Sequence, residues 1–298
     1  MDDTRPNANY RRASMTLPSS LYLACEGREL HVTQWGTPQA GHARTVVAWH
    51  GLARTGRDMD WIARHLAAKG WCVICPDTLG RGLSQWAVDP AAEYCLAFYE
   101  KLAAALFDQM GIGRCMWLGT SMGGAIGLRA AAGRLRGRIE RLILNDIGAE
   151  GSPVAVERIR SYAGNPPAFA TVTELEAYFR TVYKPYGWLS DEHWRLLTET
   201  STRRLPDGRV TPHYDPAMVQ QFEHHPNDYE QWPLWDALEI PALVLRGEDS
   251  DLLTPEVARA MTQRGPRARL VEVGGCGHAP ALNTIEHFRI VESFLSMP

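Results

Sequence analysis

Cys115-Met116-Trp117-Leu118-Gly119-Thr120-Ser121-Met122-Gly123-Gly124-Ala125 is the stretch on which the fold turns. Cys115 to Leu118 form a short apolar run, and a Gly-x-Ser-x-Gly pattern then leads into small residues suited to a helix. A serine on so tight a strand-to-helix turn is forced outward, and the flanking glycines omit the bulk that would stop the backbone from bending and packing closely. The pentapeptide alone is a weak signal, and the strand before it and the helix after it give it meaning. Ser121 is the candidate nucleophile of this elbow.

Working outward, Leu21 to Cys25 and Leu30 to Trp35 predict an opening antiparallel pair around Glu26-Gly27-Arg28, and Thr45 to Trp49 predicts a further strand. Helices and strands then take turns. Met59 to Lys69, Tyr94 to Met110 and Met122 to Ala132 read as helices; Trp71 to Cys75, Cys115 to Leu118 and Ile139 to Asn145 read as strands. The pattern resumes with strand Ala242 to Arg246, helix Pro255 to Gln263, strand Arg269 to Val273 and helix Thr284 to Ser296. Such alternation predicts an α/β fold, a mostly parallel sheet with helices on both faces and ligands outside the carboxyl ends of the strands. Over 148–235 it stops and aromatics gather, Tyr162, Phe179, Tyr183 and Trp194 among them. An inserted helical cap is expected there, with 21–147 and 236–298 as the core and 1–20 as a polar extension.

The 298 residues, 45% of them hydrophobic, suffice for a full core, and a formal net charge of -3 creates no field to gather nucleic acid or anionic membrane. Small molecules are the expected partners, with self-association into a homo-oligomer left open. The first twenty residues lack the apolar stretch of a secretion signal and no segment approaches a membrane span, which predicts a cytoplasmic protein. Cys72 and Cys75 have the spacing of a redox pair, but in a strand they point to opposite faces, beyond disulfide reach.

A serine hydroxyl needs an imidazole to remove its proton. His278 is the best candidate, because Gly274-Gly275-Cys276-Gly277-His278-Ala279-Pro280 directly follows the last predicted strand, on the edge of the sheet that carries the elbow. The imidazole needs a carboxylate to fix its tautomer, and three aspartates compete. Asp251, four residues before the helix-starting Pro255, is preferred for its chain order of serine, acid, histidine; Asp146 after the strand Ile139 to Asn145 and Asp249 are the alternatives. Two oxyanion donors are expected from the N–H groups of Met122, at the start of its helix, and of Leu52 in the loop His50-Gly51-Leu52.

With these residues in view, His50-Gly51, Asp77-Thr78-Leu79-Gly80-Arg81-Gly82-Leu83-Ser84, Gly119-Thr120-Ser121-Met122-Gly123-Gly124 and Gly277-His278-Ala279-Pro280 resemble the α/β-hydrolase superfamily along nearly the whole chain. The resemblance implies a triad of Ser121, His278 and an acid, an oxyanion hole of Leu52 and Met122, and a lid formed by the insertion. One departure is Ser250, which stands where many members carry the acid.

The implied activity is that of a serine hydrolase cleaving a small carboxylic ester or lactone through an acyl-enzyme. Cleavage of an amide or a carbon–carbon bond in a small carboxylate-bearing substrate is the alternative, and a noncatalytic ligand-binding member of the fold is the reading from another class. Arg54, two residues past the expected oxyanion donor, is a candidate for binding a substrate carboxylate, although Asp58 and Asp60 stand close enough in sequence to neutralise it. His213, His224 and His225 match no familiar metal framework, and neither metal nor cofactor is implied.

Overall fold

The computed structural model describes residues 17–39 and 44–297. Among them the chain forms, in order, β1 (Ser19–Cys25), β2 (Arg28–Trp35), β3 (Thr45–Trp49), β4 (Cys72–Pro76), β5 (Cys115–Thr120), β6 (Ile139–Asn145), β7 (Thr202–Arg204), β8 (Val210–Pro212), β9 (Ala242–Gly247) and β10 (Arg269–Val273). One 8-stranded sheet runs β1-β2-β4-β3-β5-β6-β9-β10. Its first two pairings are antiparallel and the rest parallel. The expected extension falls mostly outside the described residues, and β1 begins slightly ahead of the expected core boundary.

β3 is buried along its whole length, as a central parallel strand covered on both faces must be. Its side chains alternate nonetheless. Val47 and Trp49 join one apolar cluster with helices Leu96–Gln109 and Met122–Ala132, while Val46 and Ala48 join a second with helices Asp60–Ala68 and Ile285–Leu295. The same period sends Cys72 to the first cluster and Cys75 to the second, both as free thiols. Burial pushes the Cys72 thiol up to about 11 and raises that of Cys75, so both stay protonated at neutral pH.

The segment between β6 and β9 carries helices Pro153–Ala163, Val172–Val182 and Asp191–Thr200, the β7–β8 hairpin, and the short helices Gln221–His224 and Trp232–Asp236. Its helix starts are written locally: Ser152 accepts from the Ala155 N–H, and Thr171 with Glu174 closes a capping box. Many of its aromatics serve a small core of its own, where Phe179, Tyr183 and Trp194 pack with Leu175, Leu197 and Val210. Main-chain bonds fasten it to the sheet's carboxyl edge. Asp215 N–H donates to Gly80 O at 2.7 Å, Gly277 N–H to Pro185 O at 2.7 Å and Ala281 N–H to Tyr186 O at 3.2 Å. No helix among the described residues is long and apolar enough to cross a membrane.

At the elbow, backbone lies on backbone. A Cβ on Gly119 would sit 2.3 Å from the main chain of Gly123, and a Cβ on Gly123 would sit 2.3 Å from Trp49 O and 2.7 Å from His50 O. The Trp117 indole donates to Gly123 O at 2.9 Å and stacks on Trp49 at 5.2 Å, filling the space that Gly127 leaves. Gly123→Ala is therefore expected to cost at least about 2 kcal/mol of unfolding free energy, because the neighbouring atoms are main chain and cannot rotate away. Gly113→Ala, where a Cβ meets nothing within 4 Å, should stay within about 0.5 kcal/mol. Urea denaturation of the two variants checks the contrast, and equal midpoints would remove it.

Candidate active site

Ser121 joins β5 to the helix Met122–Ala132 with φ 51° and ψ -120°, a left-handed conformation that a side-chain-bearing residue holds only when its surroundings enforce it. Its main-chain N–H donates to Asn145 O at 2.9 Å, which ties the elbow to the end of β6. The residue is 8% exposed.

His278 follows β10, and its Nδ1 lies 2.7 Å from Asp146 Oδ2. Asp146 comes directly after β6 at φ 58° and is 0% exposed. Its Oδ1 accepts from Gly247 N–H at 2.8 Å and its Oδ2 from the Ser250 hydroxyl at 2.6 Å. Ser250 Oγ accepts in turn from the N–H groups of Leu252 and Leu253 at 3.3 and 3.1 Å, which directs its proton toward Asp146. Three donors thus satisfy a carboxylate that water does not reach.

Asp251, preferred from chain order, stands elsewhere: it is exposed, and both its oxygens take bonds of 2.8 Å from Arg158. Asp249 is also exposed. The reason lies in the ladder. β6 and β9 are parallel neighbours, with Asn145 opposite Leu245, so their carboxyl ends open side by side and either can offer an acid to the same imidazole. Here β6 offers the carboxylate, and Ser250 of the loop after β9 supplies a donor to it.

Leu52 and Met122 both flank Ser121. Among the described residues neither main-chain N–H donates to a protein acceptor. Arg81, fully buried, donates to Leu52 O at 2.8 Å and to Leu79 O and Tyr99 Oη, and it touches Met122 Sδ at 3.7 Å. One guanidinium therefore braces the Leu52 loop and the start of the Met122 helix from behind, a role that the spacing Asp77-Thr78-Leu79-Gly80-Arg81-Gly82 does not reveal. His50 braces the same loop. Its Nδ1 donates to Gly51 O at 2.6 Å and its Nε2 accepts from Thr78 N–H at 2.9 Å, so the ring is neutral.

Two cavities meet at Ser121, and a third adjoins them through Arg54, Thr120 and Tyr186. One of about 320 Å³ is apolar, lined by Leu52, Ser121, Ile147, Val156, Ile159 and Leu252. A second of about 540 Å³ is lined by Ser121, His278, Arg54, Arg158, Tyr162 and Tyr183 among others. A third of about 640 Å³, on the other side of Arg54, includes Trp61, His193 and Asn283 in its wall. Arg54 is 3% exposed, grips Asp58 through Nε and Nη2 at 2.7 Å each, bonds Ser201 at 2.9 Å and lies 4.5 Å over the Tyr183 ring.

A second serine–histidine–carboxylate string exists at the opposite end of the sheet: Ser20 Oγ lies 2.5 Å from His31 Nε2, and His31 Nδ1 lies 2.8 Å from Asp77 Oδ2. Ser20 sits inside the β1–β2 ladder opposite Thr33 rather than on a turn, and Asp77 also accepts from the N–H groups of Gly56 and Leu83. This string pins the outer strands to the loop after β4.

The sequence profile of the alpha/beta hydrolase fold family matches residues 44–283. Among curated proteins the chain is 36% identical over 272 residues to a 3-hydroxybutyrate-oligomer hydrolase of Cupriavidus necator, covering 88% of this chain and 91% of that protein. It is 26% identical to a 2-hydroxymuconate semialdehyde hydrolase of a Pseudomonas strain over 77% of this chain and 78% of that one. Among solved structures, an alpha/beta hydrolase from Novosphingobium aromaticivorans superposes with a TM-score of 0.84 at 33% identity, covering 94% of this chain and 99% of its own.

Burial lowers the His50 imidazole from 6.5 to about 4. The unfolded chain then takes up a proton below 6.5 that the folded chain refuses until about 4, so this residue's contribution to stability is full above 6.5 and lost as pH falls through that window. The loss reaches about 3 kcal/mol. Unfolding free energies of the wild type and His50→Asn, measured by urea denaturation between neutral pH and the lower end of that window, should show the shallower pH dependence in the variant. Identical slopes would contradict a neutral, buried His50.

Proposed function

Because the chain belongs to the α/β-hydrolase fold family, we propose that it is a serine hydrolase cleaving a small carboxylic ester through an acyl-enzyme, with Ser121 as nucleophile, His278 as base and Asp146 as acid. The observation that carries this reading is the bond from His278 Nδ1 to the buried Asp146 at a cavity that Ser121 also lines. A carboxylate at Nδ1 fixes that proton and leaves Nε2 free to take one from the serine.

In the proposed cycle Ser121 Oγ adds to the carbonyl as its proton moves to His278 Nε2. The imidazolium that forms faces Asp146, and the oxyanion meets the N–H groups of Leu52 and Met122, which no protein acceptor occupies among the described residues. Collapse re-forms the carbonyl and breaks the bond from its carbon to the alcohol oxygen, and the departing alkoxide takes the proton from Nε2. A water activated by the same nitrogen then releases the acid and restores the serine. A lactone would open by the same steps.

The insertion over 148–235 acts in this reading as a cap, since its Ile159, Tyr162 and Tyr183 line the cavity that also holds Ser121 and His278. The more similar of the two curated relatives favours an ester over a carbon–carbon bond, because an oligomer of a hydroxy acid is joined through esters. Its partners are then small molecules.

Ser121→Ala and His278→Ala should each lower kcat on p-nitrophenyl butyrate at least about a thousandfold, and Asp146→Asn by about a thousandfold to ten-thousandfold, with circular dichroism unchanged. Asp251→Asn should stay within about twofold, since that residue pairs with Arg158 at the surface. A fluorophosphonate probe should label Ser121 stoichiometrically. Loss of activity in Asp251→Asn with an active Asp146→Asn would return the acid to Asp251. A folded wild type that neither turns over nor labels would make the protein a noncatalytic binder.

A further inference from the structure

Arg54 stands beside the nucleophile: a Cβ built on Gly51 would lie 3.7 Å from Ser121 Cβ and 3.9 Å from Arg54 Cγ. Its Nε and Nη2 are engaged by Asp58 and Ser201, whereas Nη1 is buried with no hydrogen-bond partner among the described residues. A buried guanidinium nitrogen without an acceptor forfeits a charge-assisted bond, and the rings of Tyr183 and Phe179, 4.5 and 5.7 Å from its Cζ, limit its freedom to turn elsewhere. Among the described residues nothing completes it, and a ligand in the adjoining cavity can.

The charges around it select the kind of acceptor. The wall of the 540 Å³ cavity holds two guanidinium groups, Arg54 and Arg158, each paired behind the wall with a carboxylate, Asp58 and Asp251, and among the described residues no aspartate or glutamate lines the cavity itself. The open Nη1 makes its strongest bond to an anionic oxygen, which a charge-assisted contact favours over a neutral carbonyl.

The cavity also has a side. His278 lines it but not the 320 Å³ apolar cavity, which shares Ser121 and Leu52 with it. The imidazole delivers its proton to the leaving oxygen, so the half of the ester that departs as alcohol occupies the arginine-lined cavity and the acyl half occupies the apolar one.

We infer that Arg54 Nη1 binds a carboxylate carried by the alcohol half of the ester, making the substrates acyl esters of small hydroxy acids that are cut at the ester nearest the free carboxyl end. The inference rests on the ester-hydrolase reading above. Water adds across the bond between the acyl carbon and the alcohol oxygen; the acyl half leaves as a carboxylic acid, and the hydroxy acid leaves with its hydroxyl protonated by His278 and its carboxylate unchanged.

The test compares kcat/KM for 3-(butanoyloxy)butanoate as the free acid, for its methyl ester, and for monomethyl glutarate, whose carboxylate lies in the acyl half. In the wild type the free acid should exceed both others at least about tenfold. Arg54→Gln should bring the ratio of acid to methyl ester near one. Should that variant fail to fold, Arg54→Lys, which keeps a cation for Asp58 but loses the planar fork, should lower the ratio at least about threefold. A wild-type ratio near one, a ratio unchanged in a folded variant, or equal use of monomethyl glutarate would overturn the inference. Turnover of p-nitrophenyl butyrate without any preference for the acid would defeat this inference alone. Failure on all four esters would defeat the ester reading with it.

Discussion

Main chain pressed against main chain at Gly119 and Gly123 is the constraint from which the rest follows. Because neither residue has a Cβ, the helix Met122–Ala132 begins almost in contact with β5 and with the end of β3. That approach holds Ser121 in a backbone conformation it would otherwise avoid and leaves the Met122 N–H at the head of a helix, where the macrodipole favours negative charge. It also brings the elbow within reach of the loop that follows β3. Trp117 makes the arrangement rigid from beneath, with its ring stacked on Trp49 and its N–H on Gly123 O. The positions of Ser121 and of the Met122 N–H, the nucleophile and an oxyanion donor of the proposed hydrolase, are consequences of one packing event.

Around this point two buried polar networks hold the remaining groups, and each is closed on itself. Arg81 and the neutral His50 fix the loop of Leu52 through main-chain carbonyls and the Thr78 N–H. Asp146, Gly247 and Ser250 fix the imidazole of His278. Both networks satisfy their donors internally, which is what makes buried polar groups rigid rather than merely expensive. The Nη1 of Arg54 stands apart from them as a donor left open beside the serine.

Most of the architecture was legible because its signals are local. The short apolar runs at Thr45–Trp49 and Cys115–Leu118, the small residues after Ser121 and the proline at Pro255 each specify an element within a few positions, and strands and helices formed where these patterns stood, the second strand running on to Thr120. The carboxylate was less legible. Chain order favoured Asp251, but the contest between Asp146 and Asp251 is decided by which strand end faces His278, and that depends on β6 and β9 lying side by side. A serine at position 250 was the available clue, since a hydroxyl there donates to an acid instead of being one. The aromatics of the insertion carried little directional information. Phe179 and Trp194 build its own core while Tyr162 lines a cavity, and nothing in their spacing separates the two uses.

The loop bearing His278 hangs from the insertion as well as from the sheet, through Gly277 N–H to Pro185 O and Ala281 N–H to Tyr186 O. Raising residues 185–186 away from the sheet would stretch both bonds and draw the imidazole off its carboxylate. In the proposed hydrolase, opening on that side would work against the proton transfer assigned to His278. Entry on that flank would come at the expense of the machinery itself, and a molecule already enclosed would be committed until the roof relaxed.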